Sequence, residues 1–174
     1  ADYWIRTLSL EPHPEGGWFR ESYRAERLDA EGRNASTAIY FLLAAGQVSH
    51  LHRIPHDELW HFYAGNAATI HVIDPEGEYR TLPIGPDSFL QVVPARSWFG
   101  ATLDLADGWA LFGCTVSPAF EFKDGIFDVQ LDNTGDEIRY DAKGNLKVIF
   151  VAPTRAQFLQ CGGLRRAGML AWRR

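Results

Sequence analysis

The densest group of unusual residues runs Ser49-His50-Leu51-His52-Arg53-Ile54-Pro55-His56-Asp57-Glu58-Leu59-Trp60-His61 and holds four of the chain's six histidines. His50 and His52 are two positions apart in a predicted strand, so their side chains are expected on one face, where both imidazoles could meet one metal ion. After a proline-containing turn, Glu58 begins the next predicted strand. Two imidazoles and a carboxylate from adjacent strands suit iron, manganese, nickel or zinc.

The same residues also have an interpretation without a metal. Histidines beside acidic residues on a strand occur on solvated faces and in hydrogen-bond networks that hold no ion. In that case His52 and Glu58 become the acid–base pair of a reaction, since Glu58 does not readily serve as ligand and general base at once. His56 lies in the turn, and His61 lies on the opposite face of its strand from Glu58. Both are therefore expected to form hydrogen bonds at the surface or in the core rather than to bind a metal.

Short strands are predicted on both sides of this stretch. Runs of β-branched and aromatic residues alternate with Gly, Pro, Asp and Asn, a pattern typical of strands and turns. The predicted strands are Trp18–Tyr23, Thr37–Ala44, Gln47–Arg53, Leu59–Tyr63, Ala68–Ile73, Tyr79–Pro83, Phe89–Val93, Ser97–Leu103 and Trp109–Ser117. Many short strands without long amphipathic helices predict an all-β sandwich or barrel, with helix confined to Ala1–Ser9 and the last segment.

Composition limits the class of protein. The 174 residues, of which 46% are hydrophobic and 13% aromatic, fit one globular domain rich in β structure. The two cysteines, Cys114 and Cys161, show neither a CxxC nor a Cys/His spacing, so neither a disulfide framework nor a zinc knuckle is expected. No apolar run approaches the roughly 20 residues of a membrane helix, and no signal peptide is recognised. A cytoplasmic protein without membrane contact is expected.

The net charge of −5 is unevenly distributed along the chain, and the last part of the sequence is basic. From Lys143 to Arg174 there are seven Lys or Arg residues and no acidic residue. These charges are scattered among Pro, Gly and Leu rather than aligned on one helical face, so nucleic-acid binding is not expected.

Two motifs resemble those of the cupin superfamily. Gly46-(x3)-His50-x-His52-(x5)-Glu58-(x6)-Gly65 closely follows the first cupin motif. The second motif normally reads Pro-x-Gly-x-x-His, whereas this chain has Pro94-Ala95-Arg96-Ser97-Trp98-Phe99, with phenylalanine in place of the last histidine ligand. The resemblance implies an incomplete metal site, in which Gln91 is the candidate replacement ligand.

A finer pattern resembles one small, largely uncharacterised branch of that superfamily, related in fold to RmlC-type sugar-nucleotide epimerases. It covers about residues 5–128 through the segments His13–Glu21, Asp57–Gly65, Gln91–Pro94, Trp98–Ala101 and Gly113–Phe122. The resemblance implies a double-stranded β-helix, or jelly-roll, barrel over residues 1–130 that forms homodimers. Residues 131–174 are then an extension, with a hairpin joining Glu137–Tyr140 to Leu146–Val151 and a basic tail.

Site residues are assigned on the same basis. The resemblance implies catalytic roles for His52 and Glu58, and metal ligation by the set His50, His52, Glu58 and Gln91. Substrate contacts are assigned to Arg20, Trp60, Gln91 and Trp98. The two tryptophans are equally compatible with a core role. Gly16-Gly17 permits an unusual turn, after which Arg20 is expected either to bind a carboxylate or phosphate or to pair with Glu21 at a subunit contact.

The sequence predicts that the protein is an enzyme. It binds a small polar molecule, bearing a sugar or a carboxylate, and performs isomerisation, epimerisation or metal-assisted oxidation or lyase chemistry. The cofactor is a divalent metal (Fe, Mn, Ni or Zn), or the pocket is metal-free. The alternative is a non-catalytic cupin that uses the same pocket for binding or sensing, because fold does not determine activity.

Overall fold

The computed structural model describes residues 1–127, together with the short strands at 139–140 and 146–147. The chain begins with helix α1, Asp2–Thr7, and a turn of 3-10 helix lies at Phe122–Asp124. The strands are β1 (Glu11–Pro12), β2 (Trp18–Arg24), β3 (Thr37–Leu43), β4 (Val48–Arg53), β5 (Glu58–Gly65), β6 (Ala68–Ile73), β7 (Tyr79–Ile84), β8 (Leu90–Val93), β9 (Trp98–Leu103), β10 (Ala110–Val116), β11 (Ile126–Phe127), β12 (Arg139–Tyr140) and β13 (Leu146–Lys147). In this part of the chain, no helix has the length and apolar character needed to span a bilayer.

Strands β1–β11 form two antiparallel sheets, and β12 and β13 pair only with each other. One has six strands in the order β1-β2-β3-β10-β5-β8, and the other has five in the order β11-β4-β9-β6-β7. Strand β10 pairs with both β3 and β5, so strands far apart in sequence become neighbours. This confirms the predicted all-β jelly roll. The hydrogen-bond ladders of the described strands form separate sheets and do not close into one continuous cylinder.

All nine predicted strands are present, with ends within two residues of those predicted. Their alternating apolar pattern was readable because each has four or more residues. The two-residue strands β1 and β11 were not predicted, since two residues cannot display a period. The predicted C-terminal hairpin is seen as the pairing of Arg139–Tyr140 with Leu146–Lys147. Its turn and the basic tail to Arg174 lie outside the described residues, so the domain boundary stays a prediction.

The core lies between the two sheets. Trp60 on β5 and Phe112 on β10 face Ile70 and Val72 on β6 and Phe99 on β9, each at most 2% exposed. The Trp60 ring packs against Phe112 with ring centroids 5.3 Å apart. Burying such large side chains contributes about 1.5–3 kcal/mol each. The interior between these side chains is therefore filled, and Glu58, two residues before Trp60 on β5, is buried next to it.

Candidate functional site

A cavity of about 100 Å³ opens between the sheets beside Glu58. Strands β2, β3, β5 and β10 of one sheet and β4 of the other contribute to its wall. The aromatic part of the lining consists of Phe19, Phe41, Trp60, Phe120 and Phe122. A single water molecule needs only about 10–15 Å³ of such space, so the cavity has room for a small-molecule ligand.

A β-bulge in β4 decides which histidine faces this cavity. Ser49 pairs with Ala101 and His52 pairs with Phe99, so two residues of β4 lie opposite the single residue Gly100. A bulge breaks the period-2 alternation of a strand, so Ser49 and His52 both line the cavity although they are three positions apart. His50 does not line it.

The loop before β2 brings Glu15 into the cavity. Gly16 and Gly17 have φ values of 93° and 78°, a conformation that favours glycine. The Glu15 carbonyl accepts a hydrogen bond from the His50 amide at 2.7 Å, and the Glu15 amide donates to His13 Nδ1 at 3.1 Å. The loop is thereby fixed to β4, and the Glu15 side chain is 8% exposed.

Substituting Gly16 by alanine is expected to destabilise the protein and displace Glu15. A Cβ atom at Gly16 would lie 2.2 Å from the Val48 carbonyl oxygen, so the backbone must move. We expect a loss of about 3 kcal/mol or more in the free energy of unfolding, measured by denaturant titration. Gly32→Ala is the matched control, because Gly32 has a φ of 80° with nothing within 4 Å and should cost about 1 kcal/mol. Equal losses in the two variants would contradict this assignment.

The hydrogen bonds of His52 define its protonation state. Its Nδ1 lies 2.8 Å from the His50 carbonyl oxygen, which only accepts, so Nδ1 carries the proton. Burial lowers the pKa of His52 to about 3, so the ring is neutral and Nε2 presents a lone pair. Glu15 Oε2 lies 3.1 Å from Nε2. Burial, followed by the nearby charge of Glu58, raises the pKa of Glu15 well above its ordinary value. A protonated Glu15 can therefore donate to His52 Nε2.

Glu58 is the second buried carboxyl group in the cavity. Burial raises its pKa to about 7, partly offset by a hydrogen bond from the Cys114 thiol. Trp60 Nε1 lies close to the same carboxyl group but has no hydrogen-bond partner of acceptable geometry among the described residues. Because a charge on Glu58 raises the pKa of Glu15, the two carboxyl groups favour carrying one negative charge between them.

A second bulge places Arg24 at the mouth of the cavity. In β2 the register shifts between Glu21 and Tyr23, so that Phe19, Glu21 and Arg24 all line the cavity. Arg24 forms ion pairs with Glu21 at 2.8 Å and with Glu121 at 3.0 Å. The mouth is thus closed on one side by a charged network that joins β2 to the segment before β11.

The structure brings together three of the sequence-predicted residues. His52, Glu58 and Trp60 line the cavity, whereas His50, Arg20, Gln91 and Trp98 do not. Sequence reasoning missed Glu15, His13 and Arg24. The segment His13–Glu21 belonged to the recognised pattern, and its diglycine was the signal that the preceding residue is held in an unusual position.

Each predicted residue outside the cavity has another environment. Arg20 is exposed and lies opposite Tyr40 in the β2–β3 ladder. The Gln91 amide nitrogen donates to the Pro83 carbonyl at 2.6 Å and to Ser88 Oγ at 3.0 Å. The Trp98 ring lies under the Arg53 guanidinium, 5.1 Å from ring centroid to Cζ. Their predicted functional roles stay predictions.

The donor set does not fit the predicted metal centre. Only His52 and Glu58 of the four predicted ligands reach the cavity, and Phe99 packs against His52 with ring centroids 4.0 Å apart. The His52 lone pair faces Glu15. Across residues 1–127, no three His, Cys, Asp or Glu side chains are arranged to hold a metal ion.

Comparisons with known proteins agree with this fold. Residues 2–127 match the family described as "Cupin superfamily (DUF985)". A Shewanella oneidensis protein of solved structure is 44% identical, with 73% of this chain and 83% of that chain covered and a TM-score of 0.70. A hypothetical protein from Leishmania major is 37% identical, with 74% and 87% covered and a TM-score of 0.67.

A more distant likeness extends to an enzyme. A variant of oxalate decarboxylase from Bacillus subtilis is 16% identical, with 68% of this chain and 29% of that chain covered and a TM-score of 0.53. At that identity the likeness shows the fold alone. The search of curated proteins found no match. The family match spans the helix, both sheets and every described cavity residue, and the chain therefore belongs to the cupin superfamily, in the family described as DUF985.

Proposed function

We propose that this cupin is an enzyme of the isomerase or epimerase kind, which moves a proton on a small polar molecule bound in the cavity. The observation that carries the proposal is the pairing of two buried carboxyl groups with a neutral imidazole. Glu58, with its pKa raised to about 7, is suited to act as a general base near neutral pH. The hydrogen-bonded pair of Glu15 and His52 is suited to act as the acid.

The proposed reaction moves one charge between the carboxyl groups. Glu58, ionised, takes a proton from a carbon next to a carbonyl group of the substrate. Glu15, protonated, gives a proton to the other side of the substrate, so the negative charge passes from Glu58 to Glu15. His52 holds the Glu15 proton in position through Nε2, since its own Nδ1–H is held by the His50 carbonyl. After the product leaves, a proton passes from Glu58 to Glu15 through water, which restores the starting state.

No step of this proposal uses a metal. The predicted ligand set of His50, His52, Glu58 and Gln91 is not assembled at the cavity, and the His52 lone pair is directed at Glu15. The divalent metal predicted from the sequence is therefore not carried into the reaction.

The proposal predicts exchange of a substrate hydrogen with solvent. We expect protein treated with a chelator to exchange a C–H hydrogen for deuterium in at least one of a panel of small hydroxy-aldehydes, hydroxy-ketones and amino-ketones, followed by NMR in D2O. Glu58→Gln should slow this exchange about 10²–10⁴-fold. Glu76→Gln, in an exposed turn outside the cavity, is the control and should exchange at the wild-type rate.

Two results would contradict the proposal. Glu58→Gln exchanging at the wild-type rate would remove Glu58 from the reaction. Binding of panel members to the wild-type protein with no exchange in any of them would favour the alternative, a cupin that binds or senses a ligand without turnover. Exchange that appears only when iron, manganese, nickel or zinc is restored would favour metal-assisted chemistry.

A further inference from the structure

We propose that the ligand of this cavity is a small organic cation, a protonated amine that also carries an oxygen, rather than an anion. This inference rests on the proposed function in taking the cavity as the reaction site. It names the substrate class from the charges, hydrogen-bond donors and aromatic rings of the lining.

The charged side chains of the lining are mostly acidic. Within residues 1–127, the acidic and basic side chains that line the cavity are Glu15, Glu21, Glu58, Glu121 and Arg24. The two histidines of the lining add no positive charge at neutral pH, because burial lowers the pKa of His13 to about 4 and that of His52 to about 3. With Glu15 protonated and Arg24 paired with Glu21 and Glu121, the lining still carries a net negative charge, which attracts a cation and repels an anion.

The single arginine of the lining has no donor left for an anion. A guanidinium group has five N–H donors, and Arg24 makes five hydrogen bonds. Nε donates to Glu21 Oε1 at 3.0 Å, and Nη2 donates to Glu21 Oε2 at 2.8 Å and to the Phe120 carbonyl at 3.3 Å. Nη1 donates to Asn34 Oδ1 at 3.3 Å and to Glu121 Oε1 at 3.0 Å. A carboxylate or phosphate ligand would have to break this network.

The aromatic lining suits a cation as well. Aromatic faces attract cations, most strongly where water is excluded. Trp60, which is 2% exposed, forms part of the cavity wall. Its ring centroid lies 5.4 Å from that of Phe41 and 5.3 Å from that of Phe112. Carboxyl groups and aromatic rings thus surround the same cavity.

Two buried polar groups favour a ligand that also carries an oxygen atom. Trp60 Nε1 and Ser49 Oγ line the cavity, and neither has a hydrogen-bond partner among the described residues. Both side chains are at most 2% exposed. The indole N–H can only donate and reaches Glu58 only at poor geometry, so a ligand hydroxyl or carbonyl oxygen would give it a better acceptor. A small amino-ketone or amino-aldehyde has both groups, and an amino alcohol is its non-reacting analogue.

The test compares three small molecules of similar size and different charge. Ethanolamine is the cation, ethylene glycol the neutral analogue and glycolate the anion, and each is titrated into the full-length protein by isothermal calorimetry and by NMR of the Trp60 indole N–H. We expect ethanolamine to bind about tenfold more tightly than ethylene glycol, and glycolate to bind most weakly. Equal or tighter binding of glycolate, or binding of none of the three, would overturn the inference.

Two conservative variants separate the roles of charge and oxygen. Glu58→Gln should weaken ethanolamine binding but leave ethylene glycol binding unchanged. Trp60→Phe keeps an aromatic ring but removes the N–H, and should weaken the binding of both molecules by the same factor. If Glu58→Gln weakened the binding of both ligands equally, the charge of Glu58 would not be what distinguishes them, and its proposed role would be contradicted. Deuterium exchange without amine binding would defeat this inference alone, whereas amine binding without exchange in any substrate would defeat the proposed reaction alone.

Discussion

The Glu58→Gln variant is expected to gain stability relative to the wild-type protein as the pH rises from about 4.5 to 8. Between these values the unfolded chain has released the Glu58 proton while the folded protein still holds it, because burial raises the folded pKa from 4.5 to about 7. The wild-type protein therefore loses stability as pH rises through this window, and the loss is complete above the folded pKa. At about 1.4 kcal/mol per pKa unit, the loss amounts to about 3 kcal/mol.

The measurement is the free energy of unfolding from denaturant titration at several pH values. The quantity of interest is how the difference between Glu58→Gln and the wild-type protein changes with pH, since the constant effect of an amide in the cavity then cancels. Glu76→Gln removes an exposed carboxylate and should show no such change. A difference that stays constant between pH 5 and 8 would mean that Glu58 ionises in the folded protein as freely as in water.

The Glu15→Gln variant is expected to fold normally and to lose about 10²–10⁴-fold in exchange rate. The new amide can still donate a hydrogen bond to His52 Nε2, which now lies 3.1 Å from Glu15 Oε2, so the imidazole keeps its position and tautomer. What the amide cannot do is release a proton. The loss of rate would therefore come from the missing acid and not from a displaced loop.

Glu11→Gln provides the matched control for this prediction. Glu11 precedes the same loop but is exposed on β1, and its substitution should leave the exchange rate unchanged. The ¹⁵N shifts of the His52 ring report whether the loop and tautomer are preserved in Glu15→Gln. A variant with wild-type exchange and an unchanged His52 tautomer would remove Glu15 from the proposed reaction.

Much of the fold could be predicted because strands leave a periodic record in sequence. In β5 the alternation that begins at Glu58 and continues through Trp60 was visible, and both residues are buried at the cavity. The jelly roll followed from the number and spacing of such segments and from the cupin motifs. The pairing of particular strands, such as β10 with both β3 and β5, was not predicted, because it depends on how strand edges meet in space and not on any single segment.

The site was predicted only in part, because two bulges break the period-2 rule that the prediction used. In β4 the bulge turns Ser49 and His52 to the cavity and leaves His50 outside it. In β2 the bulge brings Arg24 to the mouth, whereas Arg20 lies on the exposed side. A bulge of one residue has no clear sequence signature.

Glu15 escaped prediction for a different reason. It lies in a loop between β1 and β2, where no periodic pattern assigns a side chain to a face. Its position depends on the positive φ values of Gly16 and Gly17 and on the hydrogen bond from the His50 amide, and His50 is 35 residues away in sequence. Such long-range contacts become visible only in the folded chain.

The central claim is that the cavity holds a neutral His52 beside a carboxyl group that titrates near neutral pH. NMR of protein labelled with ¹⁵N-histidine and ¹³C-glutamate measures both ionisations directly, with His52→Gln and Glu58→Gln used to assign the signals. We predict that His52 stays neutral, protonated at Nδ1, down to about pH 4, and that Glu58 titrates with a midpoint near 7. Titration of His52 near 6.5 together with Glu58 near 4.5 would contradict the account.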